Sequence, residues 1–245
     1  TVAGAARGVA RLKPRYLTVH ASGGADMVRA AVDAAPEVTI AAVTVLTSLD
    51  DAVLRAVGLA GPPLDAVRRL ALLAQIGITP DRVVAADIDE TPHRDELPRI
   101  YAERMASEKA RRVAEPGAYA LAADTVVALG RRILPKAEDA EDVRACLALL
   151  SGRRHHVLTA LVLVAPDGGV SARLCDTVVA FNRLLPSQLD AYAACGEGVG
   201  KAGGYAIQGR AAAFTRFLSG SYSGVVGLPL FEVAQLLRGR GYPVP

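Results

Sequence analysis

The chain is poor in aromatic residues, with no Trp, seven Tyr and four Phe among 245 residues. Proteins that bind single-stranded nucleic acid stack bases on aromatic side chains, and this composition offers few such platforms. Charge of one sign is also lacking, because 28 Lys and Arg residues nearly balance 25 Asp and Glu residues. The pairs Arg131–Arg132 and Arg153–Arg154 would suit a nucleic-acid partner, but such pairs are usually solvated, and we expect no nucleic-acid binding.

Cysteine is scarce as well, with Cys146, Cys175 and Cys195 in apolar or helical surroundings. An odd number of cysteines without paired ligand spacing predicts buried free thiols in a reducing compartment and gives no sign of a zinc site. The neighbouring residues His155 and His156 are more typical of a strand entrance with one solvated imidazole than of metal ligands.

Long hydrophobic runs are missing, and no stretch is apolar for long enough to span a bilayer. The start of the chain shows no signal-peptide pattern, so we expect a cytoplasmic protein without a membrane partner. With 51% apolar and 22% charged residues, the chain can bury a substantial core in one large domain or two small ones. The oligomeric state stays open between a monomer and a homodimer.

Residues 1–63 alternate helical and strand-like segments. Helices are predicted over Thr1–Arg11 and Ala25–Ala35, and strands over Arg15–His20 and Thr39–Thr47. Such a βαβα pattern is typical of a parallel sheet or a barrel. After the breaker Gly61-Pro62-Pro63 the character of the sequence changes, and we predict a second domain over residues 64–245.

The second domain centres on Ala120–Gly130, an apolar strand-like run with one carboxylate, Asp124, and one hydroxyl, Thr125. A carboxylate buried in a sheet without a partner is costly or becomes protonated. Asp124 is therefore expected to meet a cation or to lie at a cleft, the alternative being a solvated strand edge.

A cation is available in the preceding helix, predicted over Leu97–Ala114. Its apolar stripe contains Ala102, Ala106 and Val113 at helical spacing, and Lys109 falls on the same face. A lysine in this position either extends from the edge of the stripe to solvent or points to a nucleotide site.

Further charged and flexible segments flank the central strand. Asp87-Ile-Asp-Glu90 precedes it, Lys136 follows it, and Lys201–Gly209 is rich in glycine. Carboxylates with separated lysines, and glycines that let backbone approach a ligand, suit a metal-assisted reaction on a polyphosphate.

The remaining patterns predict an α/β fold with a mixed sheet. A hairpin signal at Pro166–Gly169 joins two strands, which requires at least one antiparallel pair. The predicted strands are Val83–Ile88, Val157–Val164 and Val170–Phe181, and the predicted helices are Glu138–Leu150, Pro186–Ala194 and Leu230–Leu237.

Two segments of the first region resemble a known family. Leu17–Gly24 and Val43–Asp50, each at the end of a strand, look like parts of orotidine 5'-phosphate decarboxylase, a TIM-barrel enzyme. The resemblance covers residues 1–74 and only two or three βα units, without the family's catalytic array. It implies a TIM-barrel-type fragment before the second domain, and no decarboxylase activity.

Residues 68–238 resemble the Maf family of nucleoside triphosphate pyrophosphatases through seven segments in order. These are Arg68–Leu73, Asp87–Glu90, Glu108–Ala110, Ala123–Val127, Leu149–Gly152, Lys201–Gly209 and Gly220–Leu230. The resemblance implies a fold of the inosine-triphosphatase type, in which a mixed sheet and two lobes surround a cleft. It also implies hydrolysis of a nucleoside triphosphate to the monophosphate and pyrophosphate with a divalent metal, Mg²⁺ or Mn²⁺.

The same resemblance assigns roles to particular residues. Asp124 corresponds to the family's proton acceptor, and Glu90 together with Asp124 to its metal site. Phosphate contacts are implied for Arg68, Lys109, Lys136 and Lys201, and base selection for Arg69, Thr125 and Gln208. The Asp-Thr and Ile-Gln-Gly combinations look like the branch that prefers dTTP and UTP.

One departure from the family pattern affects the phosphate site. The family has a strand and a Ser-x-Ser-Pro-Arg-Arg turn before its first helix, whereas this chain reads Leu-Asp-Ala-Val-Arg-Arg over residues 64–69. We expect the strand Thr39–Leu46 to replace the missing strand. A hybrid that binds nucleotide but is catalytically impaired is the alternative to an active pyrophosphatase.

Overall fold

The computed structural model describes residues 16–20, 30, 33–34, 39–43 and 64–244 of the chain. The chain divides into two compact units, Thr1–Gly61 and Pro62–Pro245. In the first unit, β1 (Tyr16–His20) pairs with β2 (Thr39–Val43) in parallel, as the βαβ pattern predicts. The predicted helix Thr1–Arg11 and the end of the predicted strand Thr39–Thr47 lie outside the described residues.

The second unit contains most of the described secondary structure. In chain order its elements are α1 (Leu64–Gln75), α2 (Pro98–Val113), β3 (Ala120–Leu129), β4 (Arg132–Leu134), α3 (Ala140–Leu150), β5 (Arg154–Val164), β6 (Val170–Phe181), α4 (Pro186–Ala194), a 3₁₀ turn (Arg210–Phe214), β7 (Thr215–Ser219), α5 (Tyr222–Val226) and α6 (Leu230–Gly239). The predicted central strand and the helices around Lys109, Cys146 and Leu189 are therefore confirmed. No helix among residues 64–244 is long and apolar enough to cross a membrane.

The predicted mixed sheet is wrong for this unit. Its five strands follow the order β4-β3-β5-β6-β7, and every neighbouring pair is antiparallel. Short turns join β3 to β4 and β5 to β6, and such turns connect antiparallel strands. The replacement of the family's first strand by Thr39–Leu46 stays a prediction, because only Thr39–Val43 of that range is described, as the strand that pairs with β1. On its side away from β5, β3 pairs with a described strand only over Val127–Leu129.

The two faces of the sheet are packed differently. Three alanines of α2, Ala102, Ala106 and Ala110, are fully buried, and their small side chains let the helix lie close to β3 and β5. Ala122 and Val126 of β3 face this helix. The other face is covered by larger apolar side chains, mainly Leu72, Leu73, Leu147, Leu150, Tyr192, Val233 and Leu236.

The predicted strand Val83–Ile88 is also wrong, because this segment is irregular. Val83 and Val84 are each 48% exposed, so their side chains do not pack into a sheet. Asp87 adopts a φ of 40°, which lies outside the extended region that a strand requires. The segment is instead held to the protein through Glu90 and the residues that follow it, as described below.

Candidate active site

The site begins with the alternation of side chains along β3. Asp124 shares the α2 face with Ala122 and Val126, whereas Thr125 lies on the opposite face. Asp124 is only 6% exposed, so the charge predicted for this apolar strand is indeed buried. A buried carboxylate needs a compensating partner, and α2 supplies one.

That partner is Lys109, whose ammonium bridges two carboxylates. Its Nζ donates to Asp124 Oδ1 at 2.6 Å and lies 2.6 Å from Glu90 Oε1. Burial by itself would lower the pKa of Lys109, but the attraction of Asp124 and Glu90 outweighs burial and raises it. Lys109 therefore stays charged, and of the two alternatives for this lysine the structure shows the inward one.

Glu90 connects the two lysines predicted for the site. One carboxylate oxygen contacts Lys109, and the other accepts a hydrogen bond from Lys136. Burial would raise the pKa of Glu90, but the hydrogen bonds from Lys109 and Lys136 lower it overall. Asp124, Lys109, Glu90 and Lys136 thus form one continuous ionic cluster, which contradicts a solvated strand edge for Asp124.

Two residues of α2 that the sequence reasoning missed hold the segment around Glu90. The Tyr101 hydroxyl donates to the backbone oxygen of Glu90 at 2.6 Å. Arg104 donates to the Thr91 backbone oxygen at 3.1 Å and makes two 2.8 Å hydrogen bonds to the Glu96 carboxylate. The Arg104 hydrogen bonds lower the pKa of Glu96 to about 2, so this contact persists over the working pH range. Tyr101 and Arg104 are three residues apart, and this spacing could have predicted that they share one helix face.

Backbone contacts bring the segments of Lys136 and Lys201 together. Lys136 forms an isolated antiparallel bridge with Ala202. The Ala137 amide donates to the Lys201 backbone oxygen at 3.1 Å, and the Gly203 amide donates to the Pro135 oxygen at 3.0 Å. Gly203 has a φ of 67° and packs against Val127, where a Cβ atom would lie 2.7 Å from a side-chain methyl group. Glycine is therefore required for this approach, as the glycine-rich sequence predicts.

On the opposite face of β3, Thr125 lies near Arg69 and Gly227. A Cβ atom built on Gly227 would be 3.6 Å from Arg69 Nε and 3.9 Å from Thr125 Oγ1. Two of the three residues implied in base selection therefore border one small space.

Gln208 is half-buried beside Ile207, and its side-chain amide makes no hydrogen bond with any described residue. Arg68 is buried.

Thr125 also contacts a residue that the sequence reasoning missed. Its hydroxyl lies 3.1 Å from the Thr159 hydroxyl, directly across from it in the β3–β5 register. Thr159 in turn donates to the Gly224 backbone oxygen at 2.8 Å. The pairing of strands around a buried threonine could not be inferred without the register.

Asp124 and Glu90 are the two carboxylates of the cluster. Both contact the ammonium group of Lys109, and both present oxygen atoms, the ligands that Mg²⁺ and Mn²⁺ prefer. Residues 64–244 contain no group of three or more His, Cys, Asp or Glu side chains arranged to hold a metal. An ion here would therefore be completed by water and ligand oxygens, as Mg²⁺ commonly is.

The two imidazoles of the neighbouring residues His155 and His156 have separate partners. His156 is exposed and contacts Asp176 at 2.7 Å, which agrees with one solvated imidazole. His155 is fully buried and shares a 2.8 Å hydrogen bond with the Tyr205 hydroxyl. Burial lowers the pKa of His155 to about 4, so the ring is neutral within the core.

Fold and site together define an α/β protein in which carboxylates and lysines cluster on one face of its central strand, around the buried Asp124. This arrangement is suited to a ligand that carries phosphate. The chain belongs to the Maf family, because the family model described as Maf-like protein matches residues 65–240. The match contains the whole range 68–238 in which the sequence resembles that family. It does not include residues 1–64, and the likeness of residues 1–74 to the decarboxylase stays a prediction.

Curated relatives agree with this assignment. The chain is 61% identical over 177 residues to a dTTP/UTP pyrophosphatase of Caulobacter vibrioides, covering 71% of this chain and 92% of the relative. It is 60% identical over 177 residues to a dTTP/UTP pyrophosphatase of Rhodospirillum rubrum, covering 71% and 84%. A third relative with the same name, from Gluconobacter oxydans, is 61% identical over 180 residues, covering 71% and 83%.

Proposed function

We propose that this chain hydrolyses dTTP and UTP to the nucleoside monophosphate and pyrophosphate. The observation that carries the proposal is the Lys109 bridge between Asp124 and Glu90, which lies beside Lys136 in a protein of this family. The names of the relatives from three bacteria supply the substrate class. The reaction belongs to the hydrolases that act on acid anhydrides.

The cationic residues are proposed to bind the triphosphate. Lys109 and Lys136 stand on the α2 face, and the backbone contacts of Ala137 bring the Lys201 segment to the same place. Arg68 is proposed as a further phosphate contact. Phosphoryl transfer requires little covalent chemistry from a protein, and positioned cations stabilise the charge that develops on the oxygens.

Asp124 is proposed to accept the proton of the attacking water. The water oxygen forms a bond to phosphorus, pyrophosphate leaves with the electron pair of the broken P–O bond, and the proton moves to the carboxylate. Lys109 holds Asp124 Oδ1, and this hydrogen bond leaves Oδ2 to orient the water. A positioned general base typically contributes about 10²- to 10⁴-fold to a rate.

A divalent ion, Mg²⁺ or Mn²⁺, is proposed to be held by Asp124 and Glu90. When bound, such an ion would neutralise phosphate charge and stabilise the leaving pyrophosphate. Tyr101 and Arg104 keep the Glu90 segment against α2, so the second carboxylate is held in place before the ligand arrives. Arg69, Thr125 and Gln208 are proposed to select the base.

The test is pyrophosphate release from dTTP, UTP and dATP with Mg²⁺, with Mn²⁺ and with a chelator in place of metal. We expect turnover of dTTP and UTP, little turnover of dATP, and no turnover without metal. Equal rates for dATP would contradict the substrate class. Saturable binding of dTTP without any turnover would favour the impaired hybrid, in which residues 64–67 fail to replace the family's serine-containing turn.

A further inference from the structure

Two hydroxyls, one half-buried (Thr125) and one buried (Thr159), link the central strand to the Gly220–Leu230 loop. Thr159 is 1% exposed, and its Oγ1 donates to the Gly224 backbone oxygen at 2.8 Å. A carbonyl oxygen can only accept a hydrogen bond. The single hydrogen of the Thr159 hydroxyl is therefore committed to Gly224.

This commitment fixes the direction of the next hydrogen bond. The hydroxyl oxygens of Thr125 and Thr159 are 3.1 Å apart, and one of them must supply the hydrogen between them. Because Thr159 has already donated its own, the Thr125 hydroxyl must donate to Thr159. What Thr125 can still offer to a ligand is the remaining acceptor capacity of its oxygen.

The space next to Thr125 contains a complementary group. Arg69 Nε and Thr125 Oγ1 both lie within 4 Å of the point that a Gly227 side chain would occupy. A guanidinium group can only donate hydrogen bonds. This space therefore presents donors from Arg69 beside one acceptor from Thr125.

We infer that Thr159 is a positioning residue that makes Thr125 an acceptor, so that Thr125 reads the N3–H of thymine or uracil. The inference rests on the proposed function for its ligand class. The imide edge of these bases has one N–H donor between two carbonyl acceptors, and Arg69 suits a carbonyl while Thr125 suits the N–H. Cytosine has an acceptor at N3, which would face the acceptor of Thr125 and leave both groups without a partner.

The experiment compares the affinities of dTMP and dCMP, measured by calorimetry. These monophosphates carry the two bases and contain no anhydride bond, so the measurement is valid whether or not dTTP is hydrolysed. Failure of the proposed function would appear separately, as absence of pyrophosphate release. In the wild type we expect dTMP to bind more tightly than dCMP.

Thr159→Val removes the hydroxyl that accepts from Thr125 while keeping the side-chain volume. The Thr125 hydrogen is then free to rotate toward N3 of cytosine, and we expect the preference for dTMP over dCMP to fall about tenfold. Thr159→Ser keeps the hydroxyl and is expected to retain the wild-type preference. An unchanged preference in Thr159→Val would overturn the inference.

Thr177→Val is the matched control for a general loosening of the loop. Thr177 is also fully buried, and its hydroxyl accepts from the Ser221 amide at 3.0 Å and donates to the Ser221 oxygen at 3.3 Å. It fastens the same loop without touching Thr125. We expect its preference for dTMP to stay at the wild-type value, and an equal fall in both valine variants would assign the effect to loop packing and reject the inference.

A ligand variant keeps the inference testable if Thr159→Val does not fold, which circular dichroism would show. N3-methyl-dTMP has no N3–H, and we expect the wild type to bind it at least about tenfold more weakly than dTMP. In Thr125→Ala, which lacks the acceptor and has more room for the methyl group, the two ligands should bind alike. Equal affinities in the wild type would overturn the inference.

Discussion

The two faces of β3 differ in how they hold polar groups, although Asp124 and Thr125 are consecutive residues. On the α2 face, charged side chains are paired with one another, with Lys109 between Asp124 and Glu90. On the other face, neutral hydroxyls are joined in one direction, from Thr125 through Thr159 to Gly224.

The two faces of β3 are therefore suited to different parts of a nucleotide. The lysines and carboxylates on one face suit the anionic phosphates, whereas a hydroxyl with a fixed hydrogen-bond direction suits the neutral edge of a base. The difference between the faces can be tested by substituting a residue on one face and measuring the function proposed for the other, either pyrophosphate release or base preference.

The largest effect is expected from Asp124→Asn on the charged face. An amide cannot accept a proton at neutral pH, so we expect the kcat of pyrophosphate release to fall about 10³-fold while dTMP retains its preference over dCMP. Asp176→Asn is a matched control, because Asp176 is also a carboxylate on a strand and contacts the imidazole of His156 at 2.7 Å. Full activity in Asp124→Asn would contradict the proposed proton acceptor.

The second prediction concerns Lys109→Met, which removes the charge and keeps most of the side-chain length. Asp124 then lies buried without a cation, and breaking a buried pair of this kind costs about 3 kcal/mol of unfolding free energy. We also expect kcat/KM to fall about 10²-fold through lost phosphate contact. Urea unfolding and pyrophosphate release provide the two measurements.

The control for that variant is Arg144→Met, which breaks the exposed ion pair between Arg144 Nε and Asp190 Oδ1 at 2.6 Å. An exposed pair contributes at most about 1 kcal/mol, so both the stability and the activity should stay close to the wild type. If the two variants lost equal stability, the burial of the Lys109 pair would have no special energetic role.

A smaller effect is expected from Tyr101→Phe, which releases the Glu90 backbone from α2. Burial, with the nearby carboxylates of Asp124 and Glu90, raises the pKa of Tyr101 to about 12, so the hydroxyl stays a donor at neutral pH. We expect kcat/KM to fall about fivefold through the loss of one hydrogen bond. Tyr119→Phe removes an equivalent 2.7 Å hydrogen bond to the Arg240 backbone oxygen and should leave activity unchanged. Equal activities in the two variants would remove Tyr101 from the positioning of Glu90.

Part of this site could be predicted from residues alone. A carboxylate in an apolar strand and a lysine on an apolar helix face each need a partner, and Asp124 and Lys109 prove to be partners of one another. Thr159 could not be predicted in the same way. A buried threonine fits an ordinary β-strand, and its role depends on the register that sets it opposite Thr125.

The errors in the fold have the same origin. Val83–Ile88 has the composition of a strand, but a strand also needs a neighbour, and here the backbone turns at Asp87. The predicted mixed sheet came from the hairpin signal at Pro166–Gly169, which requires only one antiparallel pair, whereas every pair in the described five-stranded sheet is antiparallel. Composition indicates that a segment can form a strand, whereas the partner of that strand is decided by contacts distant in sequence.

The smallest expected effect is a dependence on pH that separates the faces. Burial would raise the pKa of Glu90, but hydrogen bonds from Lys109 and Lys136 hold it below the value of 4.5 that an unperturbed glutamate has. Glu90 therefore stabilises the fold above about pH 4.5, and this contribution disappears as the pH falls through the lowered pKa. We expect Glu90→Gln to lose about 1 kcal/mol of unfolding free energy at pH 7 and progressively less in acid. Thr159→Val removes only neutral groups, so its loss should be the same at pH 7 and pH 4. Urea unfolding measures the difference in unfolding free energy between each variant and the wild type at both pH values. If that difference for Glu90→Gln is not smaller at pH 4 than at pH 7, charge does not distinguish the two faces.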